Sequence, residues 1–116
     1  LAQPQRRVVA IIGDGSAMYS IQALWTAAKQ ALPMIFVLAN NGGYRIIKQR
    51  LKLFHNNEQF IGMDFEQPGI DGAGLATAFG MKGVKATTAE EFSAAMCSAV
   101  AGNEPVLIEA FVERDV

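Results

Sequence analysis

A chain of 116 residues, 51% of them hydrophobic and 18% charged, is long enough to bury a core as one compact domain and too apolar to be disordered. Its formal net charge of -1 and pI near 5.8 provide no basic field for nucleic acid or an anionic membrane. A single cysteine, Cys97, excludes an internal disulfide and a Cys-cluster zinc site, in keeping with a reducing compartment.

Leu1 to Arg7 lacks a signal-peptide apolar region, and the apolar stretches Val8 to Ile12 and Met34 to Ala39 are too short to span a bilayer. A cytoplasmic location is expected, with no membrane partner. The chain starts without Met and runs almost at once into a strand, as expected of a piece of a longer chain whose single domain, residues 1–116, is incomplete on its N-terminal side. Arg7 to Ile12 is apolar, rich in β-branched residues and stopped by Gly13-Asp14-Gly15, the pattern of a strand buried on both faces. Ile21, Leu24, Trp25, Ala28 and Leu32 make a helical stripe over 20–32, ended before Pro33. Met34 to Ala39 is a second buried strand, and it runs into Asn40-Asn41-Gly42-Gly43, residues suited to turns and positive φ.

A helix with a basic face (Arg45, Lys48, Gln49, Lys52), solvated or at a subunit contact, is predicted over 44–54, followed by a long functional loop over 55–69. The polar neighbours of His55 mark it as a solvated loop residue. A short helix over 71–79 stops at Gly80, and a strand over 83–86 follows. Thr88 and Glu91 have the spacing of a capping box, and Phe92, Ala95, Met96 and Ala99 form the stripe of a helix ending near Gly102. Cys97 reads as a small packing residue of that helix, and Trp25 as core or interface. Pro105 to Val112 is the last strand. This alternation predicts an α/β fold: an open, doubly wound parallel sheet with helices on both faces.

In such a sheet ligands bind beyond the carboxyl ends of the strands, where Gly13-Asp14-Gly15 and Asn40-Asn41-Gly42-Gly43 both fall. Asp14 offers a carboxylate, Asn41 an amide oxygen, and Gly43 a carbonyl free to turn inward, which is half the coordination shell of a hard cation such as Mg²⁺. Two phosphate oxygens and a water suit the remaining positions, making the ion a bridge to a diphosphate. Gly15, Ser16 and Ala17 lie where backbone N–H groups and a hydroxyl can cradle phosphate oxygens; Ser16 suits helix capping equally well.

The Gly-Asp-Gly motif, the intervening helix and strand, and Asn40-Asn41, with Asp14 and Asn41 27 positions apart, resemble the signature of thiamine-diphosphate-dependent enzymes. The run from Gly13 to Ala28 is similar to benzoylformate decarboxylases, and acetolactate synthases differ from it around Tyr19 and Trp25. The likeness continues through Asn41 to Tyr44, Leu75 to Gly80 and Pro105 to Glu109, covering nearly the whole chain as the C-terminal, diphosphate-binding domain. The resemblance implies a thiamine-diphosphate-binding fold, thiamine diphosphate and Mg²⁺ as cofactors, and decarboxylation of a 2-keto acid by a lyase, or carboligation by an acetolactate-synthase-like transferase. A non-catalytic assembly module that keeps the fold is the other reading. It further implies a homo-oligomer, dimer or tetramer, with its site at the subunit interface.

By the same resemblance, Gly13, Asp14, Gly15, Ser16, Ala17, Asn41, Gly43 and Tyr44 bind the cofactor; Asp14, Asn41 and Gly43 ligate the metal; Ile47 and Arg50 border the substrate pocket. Tyr44 also reads as packing over the turn. The activating glutamate belongs to another domain, so no catalytic residue is expected here and the isolated chain should not turn over. Ile47 and Arg50 replace the leucine and phenylalanine of the aryl pocket, which argues against benzoylformate itself. Asp71-Gly72 stands where relatives have Asp-Phe, a loss of packing.

Overall fold

The computed structural model describes residues 6–115; Leu1 to Gln5, most of the stretch read above for a signal region, lie outside the described residues. Among the described residues the elements run β1 (Val8–Gly13), α1 (Asp14–Ala17), α2 (Ala23–Lys29), β2 (Met34–Asn40), α3 (Arg45–His55), α4 (Gly72–Ala78), β3 (Lys82–Ala86), α5 (Ala89–Ala101) and β4 (Val106–Phe111). The four strands form one parallel sheet in the order β1-β2-β4-β3. Val8 lies opposite Met34, Ile35 opposite Val106, and Lys82 opposite Val106.

Because alternate residues of a strand face opposite ways, the central strands serve two cores. Leu38 and Leu107 pack with Ala17, Leu24, Ala27, Ala76 and Met81 on one face. Ile35, Val37, Val106 and Ile108 pack with Ala86 and Ala99 on the other. Helices therefore cover both faces, and the doubly wound α/β architecture expected from the sequence is present.

Local chemistry sets the helix ends. The Thr88 hydroxyl accepts from the Glu91 N–H at 3.2 Å and the Glu91 carboxylate accepts in return from the Thr88 N–H at 3.3 Å, closing the capping box. That carboxylate also accepts from the Thr87 N–H and hydroxyl; chiefly the Thr87 N–H bond holds its pKa below the ordinary value. At the other end of α5 the Arg7 guanidinium donates to the carbonyls of Ala99 and Gly102, a cationic cap on a helix C-terminus. Asp71 caps α4 by accepting from the Gly74 N–H at 2.8 Å.

Five expectations need correction. Asp71-Gly72 is no loss of packing: a Cβ at Gly72 would collide with the Leu38 side chain and come within 3.4 Å of the Glu109 carboxylate, so the helix start lies directly on the sheet. In the sheet formed by the described residues β1 is an edge strand and is not buried on both faces; Ile11 is 77% exposed. The regular part of α2 begins only at Ala23, after a run of turns. The basic face of α3 is not simply solvated, since Lys48 is buried and paired with Asp64. Cys97 is exposed, one step off the Ala95–Met96–Ala99 stripe.

Candidate metal and diphosphate site

β1 and β2 are hydrogen-bonded neighbours, with Gly13 opposite Ala39, so the residues that follow them emerge side by side at the carboxyl edge of the sheet. Asp14 opens α1 there and is buried, only 2% exposed. Its Oδ1 accepts from the Gly15 N–H at 2.9 Å and its Oδ2 from the Gly42 N–H at 2.8 Å. That second bond joins the Gly-Asp-Gly turn to the Asn-Asn-Gly-Gly turn. Asn41 Oδ1 accepts from the Gly43 N–H at 3.1 Å, a side-chain-closed turn, while Gly42 takes φ +70°, a conformation natural to glycine.

Gly43 is buried under a short antiparallel bridge to Asp64. The bridge uses the Gly42 carbonyl, which accepts from the Phe65 N–H at 2.8 Å, and the Tyr44 N–H, which donates to the Met63 carbonyl at 2.9 Å. A Cβ at Gly43 would strike the Met63 carbonyl oxygen at 2.5 Å, so the strap from Met63 to Phe65 requires glycine there. Its neighbour Gly15 sits under the Tyr44 ring, where a Cβ would come within 2.9 Å of it. Tyr44 meets Phe65 edge to face, with centroids 4.7 Å apart, so Tyr44 does pack over the turn. Ser16 is exposed, with its carbonyl accepting from the Tyr19 N–H at 3.3 Å, and Ala17 faces the core. Ile47 and Arg50 lie farther along α3, both exposed.

Sequence reasoning missed Glu109 as part of this end of the sheet. It is fully buried in β4, accepting from Asn40 Nδ2 at 2.7 Å and the Gly72 N–H at 3.2 Å on Oε1, and from the Ala73 N–H at 3.0 Å on Oε2. Asn40 passes this on, because its Oδ1 accepts from the same Gly42 N–H that Asp14 holds, at 2.9 Å. The available signal was one carboxylate in an otherwise apolar strand, since a buried charge needs partners.

Does this donor set fit a hard cation? Asp14 is buried without a Lys or Arg partner among the described residues, and each oxygen spends one lone-pair direction on a backbone N–H and keeps another. Asn41 Oδ1 likewise keeps acceptor capacity. Among the described residues no group of three or more His, Cys, Asp or Glu is placed to hold a metal, so a soft or thiolate-bound ion does not suit this edge. One carboxylate with neutral amide and carbonyl oxygens suits Mg²⁺ alongside a phosphate ligand.

The chain belongs to the family described as thiamine pyrophosphate enzyme, C-terminal TPP binding domain, whose model matches residues 1–110. It is 40% identical over 109 residues to a benzoylformate decarboxylase of Pseudomonas aeruginosa, covering 94% of this chain and 20% of that protein. An acetolactate synthase large subunit of Parasynechococcus marenigrum is 33% identical over 98% of this chain and 18% of its own length. Among solved structures, a thiamine diphosphate-dependent 4-hydroxybenzoylformate decarboxylase of Rhodococcus jostii RHA1 superposes with a TM-score of 0.89 at 41% identity, over 98% of this chain and 21% of that one. The chain thus spans about one fifth of the length of these relatives. No helix among the described residues is long and apolar enough to cross a membrane.

Proposed function

We propose that this domain anchors thiamine diphosphate through Mg²⁺ in a 2-keto acid decarboxylase. The observation that carries the reading is the buried Asp14 carboxylate, bonded to the Gly42 N–H at 2.8 Å in the turn that bears Asn41 and Gly43. Asp14, Asn41 Oδ1 and the Gly43 carbonyl would hold the ion, and the Gly15, Ser16 and Ala17 segment would face the phosphate oxygens. Tyr44 holds the two turns together through Gly15 and Phe65. When bound, thiamine diphosphate supplies a nucleophilic thiazolium carbon and an electron sink for the departing carboxylate. The residues of this chain bind and orient; the proton-transferring glutamate belongs to another domain, and the site is completed at a subunit interface of a dimer or tetramer. Ile47 and Arg50 border the keto-acid side of the site.

A carboligase is the second reading, favoured by the 33% identity to an acetolactate synthase. Titrating Mg²⁺ and thiamine diphosphate calorimetrically into the enzyme that carries this domain tests the anchoring role. Each ligand should tighten the other, and Asp14→Ala should remove their joint binding; an unchanged isotherm would sink the proposal. A panel of 2-keto acids, scored for CO₂ release against carboligation products, separates the two reactions.

A further inference from the structure

We infer that Arg114 is a positioning residue for the metal-ligating turn, pinning the peptide planes of Asn41, Gly42 and Gly43 from outside the site. Its role depends on that turn carrying a cation, as proposed above. Arg114 follows β4 and lies beyond residues 1–110, the part that matches the family. Its Nε donates to the Asn41 carbonyl at 3.2 Å, and its Nη2 donates to the Gly42 carbonyl at 3.4 Å and to Glu66 Oε1 at 2.8 Å.

A peptide unit is planar, with its C=O and N–H pointing opposite ways, so holding one end aims the other. In the Asn41–Gly42 unit Arg114 holds the carbonyl while the N–H donates to Asp14 Oδ2. In the Gly42–Gly43 unit Arg114 and the Phe65 N–H share the carbonyl while the N–H closes on Asn41 Oδ1. The guanidinium thus grips the outer end of both units whose inner ends orient the proposed ligands Asp14 and Asn41. A planar fork presents its donors to two successive carbonyls in a fixed geometry, which a freely rotating ammonium on a flexible stem does not. Gly42 permits this approach, since a Cβ there would meet the guanidinium.

The Arg114–Glu66 pair is half exposed on both sides, 52% and 59%, so as an ion pair it contributes little to stability. Its effect belongs to the geometry of the turn. Mn²⁺, read by electron paramagnetic resonance as the free ion, probes the cation site in the whole enzyme at saturating thiamine diphosphate. Arg114→Met should raise the Mn²⁺ dissociation constant about tenfold, as loss of outer-shell support does. Arg114→Lys should recover part of the loss, and Glu66→Gln should cost about twofold. The unfolding midpoint of the metal-free protein should not move.

Wild-type Mn²⁺ affinity in Arg114→Met overturns the inference, as does a lowered metal-free midpoint with the metal constant unchanged. Should Arg114→Met not fold, wild-type affinity in both Arg114→Lys and Glu66→Gln overturns it equally. Asp14→Ala run alongside keeps the two ideas apart. Retained Mn²⁺ binding there removes the cation site itself, whereas its loss there with normal binding in Arg114→Met removes only the role of Arg114.

Discussion

Two buried carboxylates belong to the same sheet, Asp14 just after β1 and Glu109 within β4, with β2 between them, and their hydrogen bonds differ in number and kind. Glu109 receives a side-chain amide and two N–H groups from the start of α4, three donors that tie β4 to β2 and to α4. Asp14 receives one backbone N–H on each oxygen and nothing cationic among the described residues. A buried charge left with spare acceptor capacity is poised for a ligand, whereas a buried charge ringed by donors is a structural tie.

Substitution should separate the two. Asp14→Ala should weaken joint Mg²⁺ and thiamine diphosphate binding by about three orders of magnitude while lowering the cofactor-free unfolding midpoint less than Glu109→Ala does, because only the Gly15 N–H is left without an acceptor; calorimetry and denaturation on the same sample read both. Glu109→Ala should do the reverse, destabilising by about 3 kcal/mol because it strands the Asn40 amide and two buried N–H groups. If both variants lost equal stability, the distinction between ligand and tie would collapse. Gly72→Ala should cost about 2 kcal/mol by driving a methyl into Leu38, and combining it with Leu38→Val should recover part of that in a double-mutant cycle.

The smallest effect belongs to the exposed Asp71 cap. Its carboxyl titrates below the ordinary 3.8, chiefly through the Gly74 N–H and then through Lys85. A depressed carboxyl contributes stability above its unfolded pKa and loses it as pH falls through the folded one. Asp71→Ala should therefore cost about 1 kcal/mol at neutral pH, with the difference from wild type shrinking below about pH 4 in acid denaturation.

What the sequence showed was whatever is local. Strand runs, the capping box at Thr88 and the Gly80 stop depend on residues a few positions apart, and all are present. Asp14 and Asn41 were legible as candidates because strand, helix and strand return the chain to the same sheet edge. Burial set by distant partners was not legible. Lys48 reads as solvated until Asp64 arrives from the loop after α3. Gly72 reads as missing bulk until Leu38 is seen to occupy the space. β1 has the composition of an interior strand and lies at the edge of the sheet that the described residues form; composition alone carries no strand order.

That strand order also bears on how the chain is made. β4 lies between β2 and β3, so the sheet's middle is filled by the last of the described strands. During synthesis β1 and β2 can pair before the later elements, but Ile35 and Val37, which end up buried against partners from β4 and α5, must wait until those two elements have been made. Until then an apolar strand edge stays open, the condition in which nascent chains aggregate or recruit chaperones.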